Sequence, residues 1–277
     1  MAGNSAISVL GDRAVLSIAG RDRLRFLDGI LSVGVADMVP GMLRYGALLT
    51  PQGKIIADLM VFAMEDRVAL DVPSVAADAL AKRLTLYKLR ADVTVAKTDE
   101  AVAVATETSD SAPPDPRAEG LGGRTIVSSA AGHNDGAAFE AYTSARIEAG
   151  VPDAGADFVL GDAFPHDANM DHTGGVDFAK GCYVGQEIVS RMKHRGTARR
   201  RTVIVDGAGP LPEPGTGLDV AGRTVGRLGS SLGDKGLAIV RIDRVSGEVS
   251  AEGVPLAVTP PPGASFELAP PKAPADA

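Results

Sequence analysis

Residues 180–187 read K-G-C-Y-V-G-Q-E and contain Cys182, the only cysteine among 277 residues. Gly181 and Gly185 lie on either side of this cysteine. Glycines at this density let a backbone turn tightly and approach a ligand closely. The stretch therefore predicts a tight loop that presents, or encloses, a single thiol.

The apolar residues after this stretch have a helical period, so a helix is predicted to begin at Gly185 or Gln186. Cys182 would lie just before the helix N-terminus, where the helix dipole lowers the pKa of a thiol, and Lys180 would lower it further if close. The alternative interpretation is a buried, unreactive cysteine in a turn, because free cysteines are among the most buried residues.

The amino-acid composition limits the class of protein to which this chain can belong. The chain is 45% hydrophobic and 23% charged, which is typical of a soluble protein long enough for two domains. Neither a secretory signal nor a membrane-spanning run is predicted. A single cysteine excludes an internal disulfide and fits a reducing, cytoplasmic location. The net charge of −7 argues against a nucleic-acid partner.

Charge is unevenly distributed along the chain. Residues 180–201 contain seven Lys or Arg residues against one acid, Glu187. A basic strip on an acidic protein suggests an anionic ligand or an acidic partner, although a solvated helix end explains the pattern equally well.

The element pattern is mixed α/β up to residue 200 and all-β over residues 201–268, followed by an Ala/Pro-rich tail, 269–277, that is expected to be mobile. In the first part, residues 137–142 are predicted to be a short strand. Ser74 is predicted to cap the helix that follows it. The short β segments of the second part suggest a small barrel or sandwich.

The motif at 180–187, with the basic segment that ends at Arg195 and Gly196, resembles the signature of the YgfZ family. These are folate-binding, aminomethyltransferase-like proteins that support assembly or repair of iron–sulfur enzymes. The resemblance implies tetrahydrofolate or another reduced folate as cofactor. It also implies iron–sulfur client or carrier proteins as partners.

Three further segments resemble this family and the related T-protein of glycine cleavage, in the same order along the chain. They are L-L-T-P-Q-G-K-I at 48–55, R-I-E-A-G at 146–150 and G-R-T-V-G-R-L at 222–228. The resemblance implies an α+β fold: a three-lobed ring of two interlocked α/β lobes and a C-terminal β-barrel, with folate in the central channel.

Two enzyme readings compete with the accessory-factor reading. Aminomethyltransferases of the family carry two adjacent acids where this chain has Ala57 and Asp58. The pair is incomplete, so glycine cleavage is disfavoured while Asp58 remains a catalytic candidate. A nucleophilic or metal-binding cysteine would need a histidine partner, and the four histidines show no zinc-ligand spacing, so no metal site is predicted.

The resemblance also implies the site residues. Glu148 is the candidate for the pterin contact, and Arg146 is either an ion-pair partner or a contact of the folate tail. Tyr183 stacks on the ligand or belongs to the core. Catalytic roles fall to Cys182 and Lys180 along with Asp58. The remaining motif residues are included in the folate-binding site, where Gln186 and Glu187 are expected to orient the loop and to cap its helix, and they are Gly181, Gly185, Gln186 and Glu187.

Overall fold

The computed structural model describes residues 6–128 and 133–269. The first half of the chain forms mainly an antiparallel sheet with helices on one face. In chain order its elements are β1 (Ile7–Val9), β2 (Arg13–Ala19), α1 (Arg23–Asp28), β3 (Leu43–Leu49), β4 (Ile55–Ala63), β5 (Arg67–Pro73), α2 (Ser74–Tyr87), β6 (Thr94–Lys97) and β7 (Ala101–Ala105).

The first lobe is a five-stranded sheet in the order β3-β4-β5-β2-β6. Alternate residues of its strands face a core shared with α1 and α2, to which Leu16, Leu59 and Leu80 belong. Ser74 is the first residue of α2, and Pro73 occupies the N-cap without a side-chain hydrogen bond. The predicted Ser74 cap is therefore wrong, because the helix begins one residue earlier than expected.

The second lobe contains β8 (Gly123–Val127) and α3 (Gly136–Glu148) and a three-stranded sheet in the order β1-β7-β8. Strand β1 precedes the whole first lobe in sequence yet pairs with β7, so the chain interlocks the two lobes. The strand predicted at 137–142 is wrong, since these residues belong to α3. The Asp135 carboxylate accepts hydrogen bonds from the amides of Ala137 and Ala138 and starts the helix there.

The C-terminal lobe is a closed antiparallel barrel over residues 200–259, with strand order β10-β11-β12-β9-β14-β13. Its core contains Val203, Leu218 and Leu228. The strands, with the helix that precedes them, are α4 (Gln186–Arg195), β9 (Arg200–Gly207), β10 (Gly217–Val220), β11 (Arg223–Leu232), β12 (Lys235–Arg241), β13 (Val249–Ala251) and β14 (Val254–Thr259).

Polar contacts join the barrel to α3 and to the segment between α3 and α4. Arg146 of α3 donates to the Ser230 hydroxyl of β11 at 2.7 Å. Asn169 donates through its side-chain amide to the carbonyl of Thr202 in β9 at 2.8 Å. The barrel is thus held against the α/β part of the chain by direct hydrogen bonds. The tail predicted at 269–277 lies outside the described residues except for Ala269, and none of the helices in the described ranges is long and apolar enough to span a membrane.

Candidate functional site

The Cys182 loop, residues 178–185, leads into α4. Gly185 has φ +84° and is the N-cap of the helix, which begins at Gln186 as the sequence predicted. Cys182 is exposed, so the interpretation of a buried cysteine is wrong. A reactive role needs such access, because a buried thiol meets no substrate or partner.

The capping role expected of Gln186 and Glu187 is not found, because no side chain bonds to the first turn of α4. The carboxylate of Glu187 instead accepts a hydrogen bond from Arg191 one turn later, at 2.5 Å. Glycine has no side chain that could accept from the amides of the first turn, and its left-handed φ sets the direction in which the helix begins.

Lys180 holds the loop through backbone carbonyls. Its Nζ donates to the carbonyl oxygens of Asp28 at 2.6 Å, Leu31 at 3.0 Å and Val33 at 3.1 Å. Burial lowers the pKa of Lys180, with the carboxylate of Asp28 opposing that effect. An ammonium has three N–H groups, and all three are used in these bonds. Lys180 therefore acts on the backbone of the first lobe and has no N–H left for the Cys182 thiol.

The Cys182 loop packs against the turn between β3 and β4. A Cβ on Gly185 would lie 2.5 Å from the carbonyl oxygen of Thr50 and 3.1 Å from Cα of Gly53. The family-like segments at 48–55 and 180–187 are thus in direct contact. A Cβ on Gly181 would meet nothing within 4 Å, so Gly181 lies on the open side of the loop.

Tyr183 belongs to the core of the first two lobes and is 7% exposed. Burial raises the pKa of its hydroxyl to about 12. The hydroxyl has no hydrogen-bond partner in the described part of the chain. Of the two roles expected for Tyr183, packing in the core is the one that this position supports.

Two adjoining cavities lie between the lobes. The Glu148 cavity, of about 510 Å³, lies against the end of α3 and the segment after the barrel. The Tyr45 cavity, also about 510 Å³, lies against β3 and includes Asp177. Both are lined by Thr173. Cys182 lies outside the described lining of each, so the predicted site divides into the two cavities and a separate exposed thiol.

Glu148 lies at the cavity as a free carboxylate. It is the last residue of α3, is exposed, and its only hydrogen bond in the described structure is a long one of 3.4 Å from the Ser144 hydroxyl. A carboxylate in this state retains acceptor capacity for a ligand. The residue that the R-I-E-A-G resemblance singles out thus lies at a cavity with unused acceptor capacity.

Arg146 is buried in ion pairs and has a structural role. It contacts Asp157 at 2.7 Å and Asp153 at 3.1 Å. Burial opposes its charge, but these carboxylates outweigh that effect and raise its pKa. Of the two roles expected for Arg146, the structure shows the ion-pair partner.

A buried charge network continues from Arg146 through the centre of the molecule. Arg124 and Arg13 both bind Asp71, at 2.6 Å and 2.5 Å. Arg117 binds Asp115 at 2.8 Å and also donates to the hydroxyl of Tyr142. These pairs connect both lobes and set the electrostatics of the cavity walls, because Arg117 also lines the Glu148 cavity.

Asp58 is 1% exposed and faces this network, with Arg13 at 3.4 Å. Burial raises the pKa of its carboxyl, and Arg13 opposes the shift. Ala57 faces the opposite side of the sheet and is fully buried in the helix-covered core. Asp58 lies outside the described lining of both cavities.

Much of the basic strip is used internally. Arg200 pairs with Asp167 at 2.6 Å and Arg201 with Asp171 at 2.6 Å, and both pairs tie the barrel to the segment before the loop. Lys193 and Arg195 on α4 are exposed and have no ion pair within the described ranges. They leave an exposed positive face on the helix that follows Cys182.

The histidines do not form a metal site in the described ranges, where no cluster of three ligating side chains occurs. His166 is 1% exposed, and burial lowers its pKa. Both of its ring nitrogens lack a hydrogen-bond partner among the described residues.

Sequence reasoning missed Asp177 and Arg117. Asp177 lines the Tyr45 cavity and accepts hydrogen bonds from the amides of Ala179 and Lys180 at 2.8 and 3.1 Å. Its position two residues before a turn is a local signal for an Asx turn. Arg117 lies in a Pro/Gly-rich connector and gives no such signal.

Comparison with known proteins supports the fold. Residues 199–266 match the family model described as the CAF17 C-terminal beta-barrel domain. The crystal structure of glycine cleavage system aminomethyltransferase T from Bartonella henselae superposes with a TM-score of 0.72 at 19% identity, covering 95% of this chain and 86% of that one. The predicted fold class is confirmed.

Sequence relatives are named as iron–sulfur assembly factors. The IBA57 homolog of Mycosarcoma maydis, an "Iron-sulfur cluster assembly factor", is 33% identical over 69% of this chain, which spans about half (54%) of that protein. The human IBA57 protein is 29% identical, with 90% of this chain and 82% of that protein covered. The mouse protein is 27% identical, with 86% and 78% covered.

These homologues support the iron–sulfur part of the resemblance, and they name IBA57 where the motif suggested the YgfZ family. The cytoplasmic location expected from the sequence is wrong by this comparison, because the relatives are named as mitochondrial proteins. A single cysteine reports a reducing environment only and does not distinguish compartments that share it.

Proposed function

We propose that this protein is an accessory factor for assembly or repair of iron–sulfur proteins, and that Cys182 is its working group. One observation carries the proposal: the sole cysteine is exposed on a loop that is fixed from within by Lys180 and by the turn at Gly53. A thiol kept only for packing would not be presented to solvent in this way.

The cluster is cargo in this proposal and not a resident cofactor. Iron–sulfur clusters are held by several thiolates, and this chain has one cysteine. Any cluster that Cys182 contacts must therefore take its other ligands from a partner or client protein. The exposed positive charges of Lys193 and Arg195 on α4 favour a partner with an acidic surface beside its own ligands.

Reduced folate is proposed as the ligand of the Glu148 cavity and of the Tyr45 cavity that adjoins it at Thr173. A volume of about 510 Å³ lies within the usual range for small-ligand sites. Glu148 offers a carboxylate that accepts hydrogen bonds, as a pterin with its N–H groups requires. Bound tetrahydrofolate would supply a one-carbon carrier or reductant at this site. The residues of this chain contribute binding and orientation.

Complementation tests the proposal. The chain is expressed in cells that lack their own factor of this kind, and the activities of [4Fe–4S] enzymes are measured against an empty vector. Restoration of these activities is expected. Failure to restore them, with normal amounts of folded protein and with glycine-cleavage activity present instead, would overturn the proposal in favour of a transferase.

A further inference from the structure

The Cys182 loop and the Tyr45 cavity are joined by two hydrogen bonds, both made by Lys180. Val33 and Asp177 both line the Tyr45 cavity. The carbonyl of Val33 accepts a hydrogen bond from Lys180 Nζ at 3.1 Å. The carboxylate of Asp177 accepts from the amide of Lys180 at 3.1 Å. One residue of the Cys182 loop thus contacts two residues of the cavity wall.

The connection is buried, and every N–H group of the Lys180 ammonium donates a hydrogen bond. The side chain of Lys180 is 6% exposed, and its three donors bind three carbonyls of residues 28–33. The amide of Asp177 in turn donates to the carbonyl of Ser32 at 2.9 Å. These hydrogen bonds hold two segments together, residues 28–33 and residues 177–180. A relative movement of the two would break several of them, including the three from the charged ammonium.

We propose that Lys180 is a positioning residue that ties the Cys182 loop to the wall of the Tyr45 cavity, so that a ligand that extends from the Glu148 cavity past Thr173 into the Tyr45 cavity changes the mobility of the loop. The inference rests on the proposed function for its ligand, a reduced folate. It gives Lys180 a task that requires no contact with the thiol.

A spin label tests the tie directly, because Cys182 is the only cysteine and takes the label without further mutation. The variant Lys180→Met keeps an unbranched side chain that is one atom shorter and removes its three hydrogen bonds. The rotational correlation time of the label is expected to shorten by about threefold or more, in the nanosecond range that this spectroscopy reports. The matched control is Lys88→Met, which removes a 2.6 Å bond from Nζ to the carbonyl of Val93, remote from the loop in sequence.

A merely structural role makes a different prediction. If Lys180→Met lowers the unfolding midpoint but leaves the label as immobile as in wild type, the positioning role is overturned. Should Lys180→Met not fold, Asp177→Ala cuts the second connection and is expected to mobilise the label in the same direction. An immobile label in Asp177→Ala would then contradict the proposal.

The ligand arm uses 5-formyltetrahydrofolate, a stable reduced folate. Saturation is expected to change the spectrum of labelled wild type, and the change is expected to be at least halved in Lys180→Met. Calorimetry on the same samples separates the folate assignment from the coupling between cavity and loop. Absence of binding refutes the folate assignment. The comparison of label mobility between wild type and Lys180→Met then still tests whether Lys180 positions the loop. Binding without any spectral change in wild type refutes the coupling.

Discussion

Gly185 lies so close to Thr50 that a Cβ on the glycine would stand 2.5 Å from the threonine carbonyl oxygen. No real Cβ tolerates this distance to a backbone atom, and the φ of +84° disfavours any side chain at this position. The contact joins the turn at 50–53 to the Cys182 loop. It brings together two family-like segments, 48–55 and 180–187, whose starts lie 132 residues apart in the chain.

Gly185→Ala is expected to destabilise the protein by about 1–3 kcal/mol, because it combines backbone strain with a clash. Urea unfolding measures the change. Gly181→Ala is the matched control in the same loop, since a Cβ there meets nothing within 4 Å, and a change below about 0.5 kcal/mol is expected. Equal changes in the free energy of unfolding for the two substitutions would show that the close contact of Gly185 with Thr50 is unimportant.

Glu148→Ala is expected to weaken the binding of a reduced folate by about 10- to 150-fold. The reason is the loss of one charge-assisted hydrogen bond worth about 1.5–3 kcal/mol. Calorimetry with 5-formyltetrahydrofolate measures the change. Glu140→Ala, an exposed acid on the same helix, serves as control and is expected to bind like wild type. Wild-type affinity in Glu148→Ala would remove Glu148 from the site.

The sequence predicts those features that local pattern determines. The start of α4 follows from the position of Gly185 and the helical period after it, and the structure contains this helix. The strand predicted at 137–142 belongs instead to α3, and the Asp135 N-cap that starts this helix is a local signal that the prediction did not use. The three-residue strand β13 is too short to leave a pattern.

The centre of the molecule was beyond sequence reasoning. Asp71 binds Arg13 and Arg124, which lie 58 and 53 residues away in the chain, and no local period links such residues. The roles of Arg146 and Lys180 depend in the same way on tertiary contacts. Motif resemblance located these residues but could not distinguish a ligand contact from an ion pair or a backbone clamp.

Acid is expected to destabilise the network. Burial acts to raise the pKa of Asp71, but its two arginines outweigh burial and lower that pKa, and Arg117 does the same for Asp115. The unfolded chain therefore binds more protons than the folded protein in acid. Stability is lost as pH falls below about 5, with a slope of up to about 1.4 kcal/mol per pH unit for each such carboxylate.

Urea unfolding between pH 3 and pH 6 measures this slope, and Asp71→Asn is expected to reduce it. Asp78→Asn, which alters an exposed pair with Lys97, should leave the slope unchanged. The raised pKa of Asp58 acts in the opposite direction, because the folded state then holds the extra proton. A stability that stays level down to pH 3 would contradict the proposed pairing.

Glycine cleavage is expected to be negligible. Ala57 faces the core, and Asp58 is buried against Arg13, so no adjacent pair of acids reaches the cavities. The assay is formation of methylene-tetrahydrofolate from an aminomethylated carrier protein. Turnover within the usual enzyme range of about 1–10³ s⁻¹ would show that Asp58 alone suffices.

Cys182→Ser in the complementation assay tests the central claim most directly. Serine preserves the shape of an exposed side chain, so protein level, unfolding midpoint and folate affinity are expected to stay within error of wild type. The activities of [4Fe–4S] enzymes are expected to fall to the level of the empty vector. Full restoration of those activities by Cys182→Ser would contradict the account and leave the cavity as the only functional site.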